Sequence, residues 1–76
     1  MEHVLVAEMA ANVWKVEVSV GQAVDADGVL LILESMKMEI PLESPVRGRV
    51  TSVVVAPGDV VAEGQTLVVV VEEDGA

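Results

Sequence analysis

Six residues near the middle of the chain, Glu34-Ser35-Met36-Lys37-Met38-Glu39, hold the side chain whose setting most suggests chemistry. Two apolar runs, Val29 to Leu33 and Met38 to Leu42, flank the segment and are arranged to pair. Tight hairpin turns draw on Gly, Asn, Asp or Pro, and the connection between these runs contains none of them. It offers a lysine between two methionines. Only Lys15 and Lys37 carry a side-chain amine here, so lysine is not the default surface residue. An amine at a hairpin tip points into water and can act as a nucleophile once deprotonated. Methionines beside it are soft side chains suited to a partner's apolar surface. Parity along the second run puts Met38 inward with Ile40 and Leu42, which leaves Met36 as the contact residue. An ordinary solvated lysine is the plain alternative.

Other chemistry finds little support. The chain has no cysteine and a single histidine, His3, near the N-terminus. One His without Cys gives a metal little to converge on. There is no phosphate loop and no nucleophile elbow, and the acids are spread over turns and outer strand faces. The chain is expected to catalyse nothing alone. Thirteen acids against four bases give a formal charge of −9, which argues against nucleic acid because phosphate contacts need Lys/Arg clusters. The acidity serves solubility or steers the chain toward basic partner surfaces. The longest apolar run, Thr66 to Val71, is strand-sized rather than membrane-spanning, and no secretory signal is evident. The absence of cysteine fits a reducing compartment, and the expected location is the cytoplasm.

The elements that would position Lys37 follow from an internal repeat. A shift of 37 positions superposes the halves without a gap: Val13 falls on Val50, Val18 on Val55, Gly21 on Gly58, Val24 on Val61, and Leu31-Ile32-Leu33 on Val68-Val69-Val70. Propensity alone would make Val29 to Ile40 a helix. Its counterpart, Thr66 to Val71, is rich in consecutive valines and suits a buried strand, so both copies are read as strands. Further strands are expected at Val4 to Ala7, Val13 to Val18, Met38 to Glu43 and Arg49 to Val55. In the second of these, alternation puts Trp14, Val16 and Val18 on one face. Pro41 cannot donate to a ladder and belongs at an edge. Turns are expected at Gly21, Asp25 to Gly28, Ser44-Pro45, Pro57 to Asp59 and Glu63-Gly64. Seven or eight short strands at this spacing make a small sandwich or flattened barrel. Met1-Glu2 and Glu72 to Ala76 are expected to fray. The 76 residues read as one free-standing domain.

The segment Glu34 to Glu39 resembles the Glu-Ala-Met-Lys-Met stretch of the biotinyl/lipoyl attachment domain family, and the resemblance extends over nearly the whole chain. The two quasi-symmetric halves, the paired Gly-Asp/Gln turns and the element Pro45-Val46-Arg47-Gly48-Arg49-Val50 all take part in it. The fold it implies is all-β: a flattened barrel-sandwich hybrid of two four-stranded antiparallel sheets with quasi-twofold symmetry and the lysine on an exposed turn. It implies residues 1–76 as a single biotin carboxyl carrier domain. Biotin would be attached to Lys37 by a biotin protein ligase, and the arm would carry carboxyl from a biotin carboxylase to a carboxyltransferase. Glu34, Ser35, Met36, Met38 and Glu39 would be read by the ligase and the other partners. No membrane, nucleic acid or metal is implied.

Some positions depart from the pattern. Ser35 replaces a commoner alanine, Ala11 stands where the second half has Gly48, and Asp27 where it has Gly64. Asp tolerates left-handed backbone, and Gly28 beside it is expected to absorb the turn. The gapless repeat leaves no room for the protruding thumb of some bacterial carriers. Lipoyl domains place Asp before and Ala after the modified lysine, where this chain has Met on both sides. A lipoyl carrier of a 2-oxoacid dehydrogenase-type system, or an acceptor of both groups, is the competing reading. An unmodified adaptor using the Met-Lys-Met tip as a contact surface is a third.

Overall fold

A computed structural model describes residues 1–73. Eight strands run in chain order: β1 (Glu2–Val6), β2 (Ala11–Val16), β3 (Ala23–Val24), β4 (Val29–Ser35), β5 (Met38–Glu43), β6 (Gly48–Val53), β7 (Val60–Val61) and β8 (Thr66–Glu72). They form two four-stranded sheets with orders β1-β8-β6-β3 and β5-β4-β2-β7, and every pairing is antiparallel. Advancing each strand of the first half by 37 positions gives a strand of the second, and the same operation turns one sheet order into the other. The expected flattened sandwich with quasi-twofold symmetry is the architecture found. Pro41 lies on β5, an edge strand, where its missing N–H leaves no gap inside the sheet.

The core is built from repeat-related pairs. Val13 and Val50, Val18 and Val55, Leu30 and Leu67, Leu31 and Val68, and Leu33 and Val70 are all buried. Valine and leucine fill the space that aromatic residues often take, and the lone Trp14 stays outside. This corrects the expected alternation in β2. The pairing of β2 with β4 slips between Val13 and Lys15, so an extra residue sits in the bulge and Val13, Val16 and Val18 face inward. β6 slips at the matching place, between Val50 and Ser52.

The tight turns also obey the repeat. Gly21 and Gly58 adopt φ of 93° and 94°, which a side chain would disfavour. The next residue caps each turn: Gln22 Oε1 accepts from the Ser19 N–H, and Asp59 Oδ2 from the Ala56 N–H. Gly64 has φ 84°, and at the matching position Asp27 itself takes φ 69°. Gly28 therefore does not absorb that turn, because the aspartate accepts the left-handed backbone directly. At the ends, Glu2 and Glu72 are strand residues rather than frayed, since the Glu72 N–H donates to the Met1 carbonyl at 2.8 Å. Residues 74–76 of the expected fray lie outside the described residues.

Candidate functional site

The molecule is elongated, 41 × 17 × 17 Å. β4 and β5 run to one pole, while the start of β1 and the end of β8 meet at the other. At the first pole Ser35 pairs with Met38, and Met36-Lys37 form the whole connection. Both have positive φ, 53° and 65°. This is a two-residue hairpin turn of the I′ kind, whose twist matches the strands but which normally requires Asn-Gly. Two long side chains in left-handed backbone cost about 1–2 kcal/mol each. The missing turn residues noted in the sequence thus correspond to real backbone strain, borne at the candidate lysine.

Lys37 is exposed and makes no ion pair among the described residues, where the salt bridges are His3–Glu72 and Arg49–Glu73. Lys15 is placed differently, in the β2 bulge with Nζ 4.8 Å from the centroid of the Trp14 ring. Of the two amines, only Lys37 stands at an apex. One rung below the turn, Glu34 pairs directly with Glu39, and both are exposed. Like charges opposite each other in a sheet are mutually destabilising. Strained backbone and a repulsive carboxylate pair therefore fall on the same few residues, as happens where function overrides local stability.

The two methionines do not divide their roles as parity suggests. Met36 is 92% exposed and Met38 63% exposed. Met38 has the alternation of Ile40 and Leu42, but unlike them it is not packed against the buried core. Met36→Ala and Met38→Ala are accordingly both expected to leave stability within about 0.5 kcal/mol of the parent. Urea unfolding of the two variants checks this, and a selective loss in Met38→Ala would contradict it.

Sequence reasoning did not find the residues that join the turn from elsewhere. Ala10, Ala11, Asn12 and Val60 form an open cleft of about 360 Å³ with Glu34, Ser35, Met36 and Lys37. Ala11 shows why it is open. A Cβ placed on its counterpart Gly48 would come within 2.2 Å of the Val71 carbonyl oxygen, so β6 and β8 approach too closely for a side chain. There Gly48 pairs with Glu72, and the Glu73 N–H donates to the Arg47 carbonyl at 3.0 Å. Ala11 does carry a Cβ, and the matching Ala11–Ser35 rung is absent, as is a Met36-to-Ala10 bond. The remaining loop and turn bonds do follow the repeat, for example Gly21 to Val50 and Gly58 to Val13. The ladder stops one rung early at the lysine pole.

The two-sheet fold with internal symmetry holds an exposed lysine at a strained apex, clear of any ion pair among the described residues. The sequence model described as "Biotin-requiring enzyme" matches residues 4–70, and the chain belongs to this biotin/lipoyl attachment family. It is 45% identical over 64 residues to the biotinylated protein TB7.3 homologue of Mycobacterium leprae, covering 84% of this chain and 90% of that one. It is also 45% identical over 60 residues to the biotin/lipoyl attachment protein of Bacillus subtilis, covering 79% and 82%. Larger relatives are matched over a small part of their length. The pyruvate carboxylase of Staphylococcus aureus is 44% identical over 82% of this chain but 5% of its own. Among solved structures, a single-chain, multi-domain long-chain acyl-CoA carboxylase superposes with a TM-score of 0.89 and 37% identity, over 96% of this chain and 7% of that one.

Proposed function

We propose that this chain is a biotin carboxyl carrier in which biotin is joined through an amide to Lys37 Nζ. The observation that carries the reading is the placement of Lys37: an exposed amine with no ion pair, at the apex of a turn strained in left-handed backbone. Similarity to a biotinylated protein over nearly equal lengths supports biotin as the acyl group. The exposed turn gives a biotin protein ligase an unobstructed nucleophile, and Glu34, Ser35, Met36, Met38 and Glu39 provide the surface it reads. When bound, biotin supplies a ureido ring that accepts and yields carboxyl, chemistry that belongs to the cofactor rather than to the protein.

The chain's own part is presentation. Lysine and the valerate arm together reach roughly 14 Å from the backbone by standard bond lengths. Tethering on that arm raises the local concentration at each active site visited. Those sites would belong to a biotin carboxylase and a carboxyltransferase, activities of the kind that the pyruvate carboxylase and putative urea carboxylase relatives suggest. Residues 1–76 act as one carrier unit without an active site of their own. Their titratable groups are dispersed, and the one histidine, His3, is tied to Glu72 at the far pole. The cytoplasm suits a cysteine-free chain, and among the described residues no helix is long and apolar enough to cross a membrane.

Intact mass of the chain from its host tests the reading. The expected result is the increment of one biotinyl group, mapped by proteolysis to the peptide containing Lys37. A lipoyl increment, or none, would overturn it.

A further inference from the structure

We propose that the cleft beside Lys37 is a docking site for the ureido ring of the attached arm, so that the unloaded arm rests against its own carrier; this builds on the biotin reading above. The inference comes from a place where the backbone bonding of the two halves differs among the described residues. At the far pole the Glu73 N–H and the Arg47 carbonyl bond each other, and the Arg49 guanidinium donates to the Gly21 carbonyl at 2.6 Å. At the lysine pole neither bond has a counterpart. Met36 and Ala10 are not joined, and Asn12, which replaces Arg49 in the repeat, makes no bond to Gly58. The space left between the strands is the cleft, bordered by Lys37 itself.

What the cleft offers is the inventory of an interrupted sheet. The Met36 N–H and the Asn12 side-chain amide can donate. The Ala10 carbonyl, the Asn12 side-chain oxygen and the Glu34 carboxylate can accept. A cyclic urea carries two N–H donors flanking a carbonyl acceptor, one donor more than a peptide unit has, so its carbonyl can accept from the Met36 N–H while an N–H donates to the Ala10 carbonyl. Met36 and Val60 add exposed apolar surface for the sulfur-containing ring fused to the urea. The cleft's volume falls within the range of small-molecule sites, and a 14 Å arm is ample to fold back onto a wall that its own lysine forms.

The test compares amide spectra of the 15N-labelled full chain before and after enzymatic biotinylation, with mass confirming the increment. Ring docking is expected to shift the Ala10, Asn12 and Val60 amides and to slow hydrogen exchange at the Met36 N–H. A Lys37-acetylated chain, which loses the same charge without gaining a ring, is expected to show neither effect. Ala11→Gly lets β2 approach β4 as Gly48 lets β6 approach β8. Once its biotin is verified by mass, this variant is expected to lose the shifts at Ala10 and Val60. Shifts confined to Ser35–Met38 in a fully biotinylated chain would overturn the docking and leave the carrier reading intact. Absence of any biotinyl increment would overturn both.

Discussion

Lys37→Arg is expected to abolish biotin incorporation completely while leaving the fold and its stability unchanged. Arginine keeps the positive charge and the length of the side chain, but its guanidinium stays protonated and offers no amine to acylate. No ion pair among the described residues involves Lys37, so the substitution removes no paired charge, and an exposed change of this kind stays within about 0.5 kcal/mol. Avidin blotting and intact mass after treatment with a biotin ligase measure the first effect, and thermal unfolding the second. Residual biotin in the variant would implicate Lys15, the other lysine. That result would contradict a bulge lysine held over Trp14 being the less available amine. A large fall in melting temperature would show instead that the turn depends on lysine in a way its exposure does not suggest.

Leu67→Ala should act in the opposite way, on the scaffold rather than the chemistry. Leu67 has no solvent exposure and lies near the start of β8, the strand that joins β1 to β6. Removing a buried leucine side chain costs about 2–5 kcal/mol through lost transfer energy and the cavity left behind. For 76 residues, total stability at the usual per-residue figure is roughly 4–11 kcal/mol. The loss therefore takes a large fraction of the whole, and the melting temperature should fall by more than about 10 °C. Leu30 is its repeat partner and equally buried, so Leu30→Ala should match it to within about 1 kcal/mol. Urea titration of the two variants provides the comparison. A loss below 1 kcal/mol in either would mean that the two halves do not share one core.

Much of this was legible because the repeat carried information that single segments did not. Val29 to Ile40 taken alone has the propensity of a helix, and only its match to the valine run of Thr66 to Val71 makes it a strand. The same matching placed Lys37 at the tip joining the halves. What failed was parity. Alternation groups Trp14 on one face with Val16 and Val18, yet Trp14 lies outside because β2 carries a bulge, and nothing in Val13-Trp14-Lys15 announces one. A bulge is fixed by pairing with β4, a long-range fact. Met38 shares the alternation of Ile40 and Leu42, but unlike them it is not packed against the buried core. The cleft was invisible for a related reason. Its walls come from three separate stretches, around Ala11, around Ser35 and at Val60, and the repeat gave only the isolated hint of alanine opposite glycine.

The separation of the two poles has a consequence for how such a unit can be wired into larger machinery. Both the beginning of β1 and the finish of β8 emerge roughly a molecule's length from the apex. A polypeptide spliced onto either side would trail away behind the amine instead of crowding it. The unit can then pivot on a leash with its working tip leading, which is geometrically compatible with the small share of the acyl-CoA carboxylase chain that this fold occupies. Reach in such an assembly would come in three stages: the leash, the 41 Å body and the acyl arm.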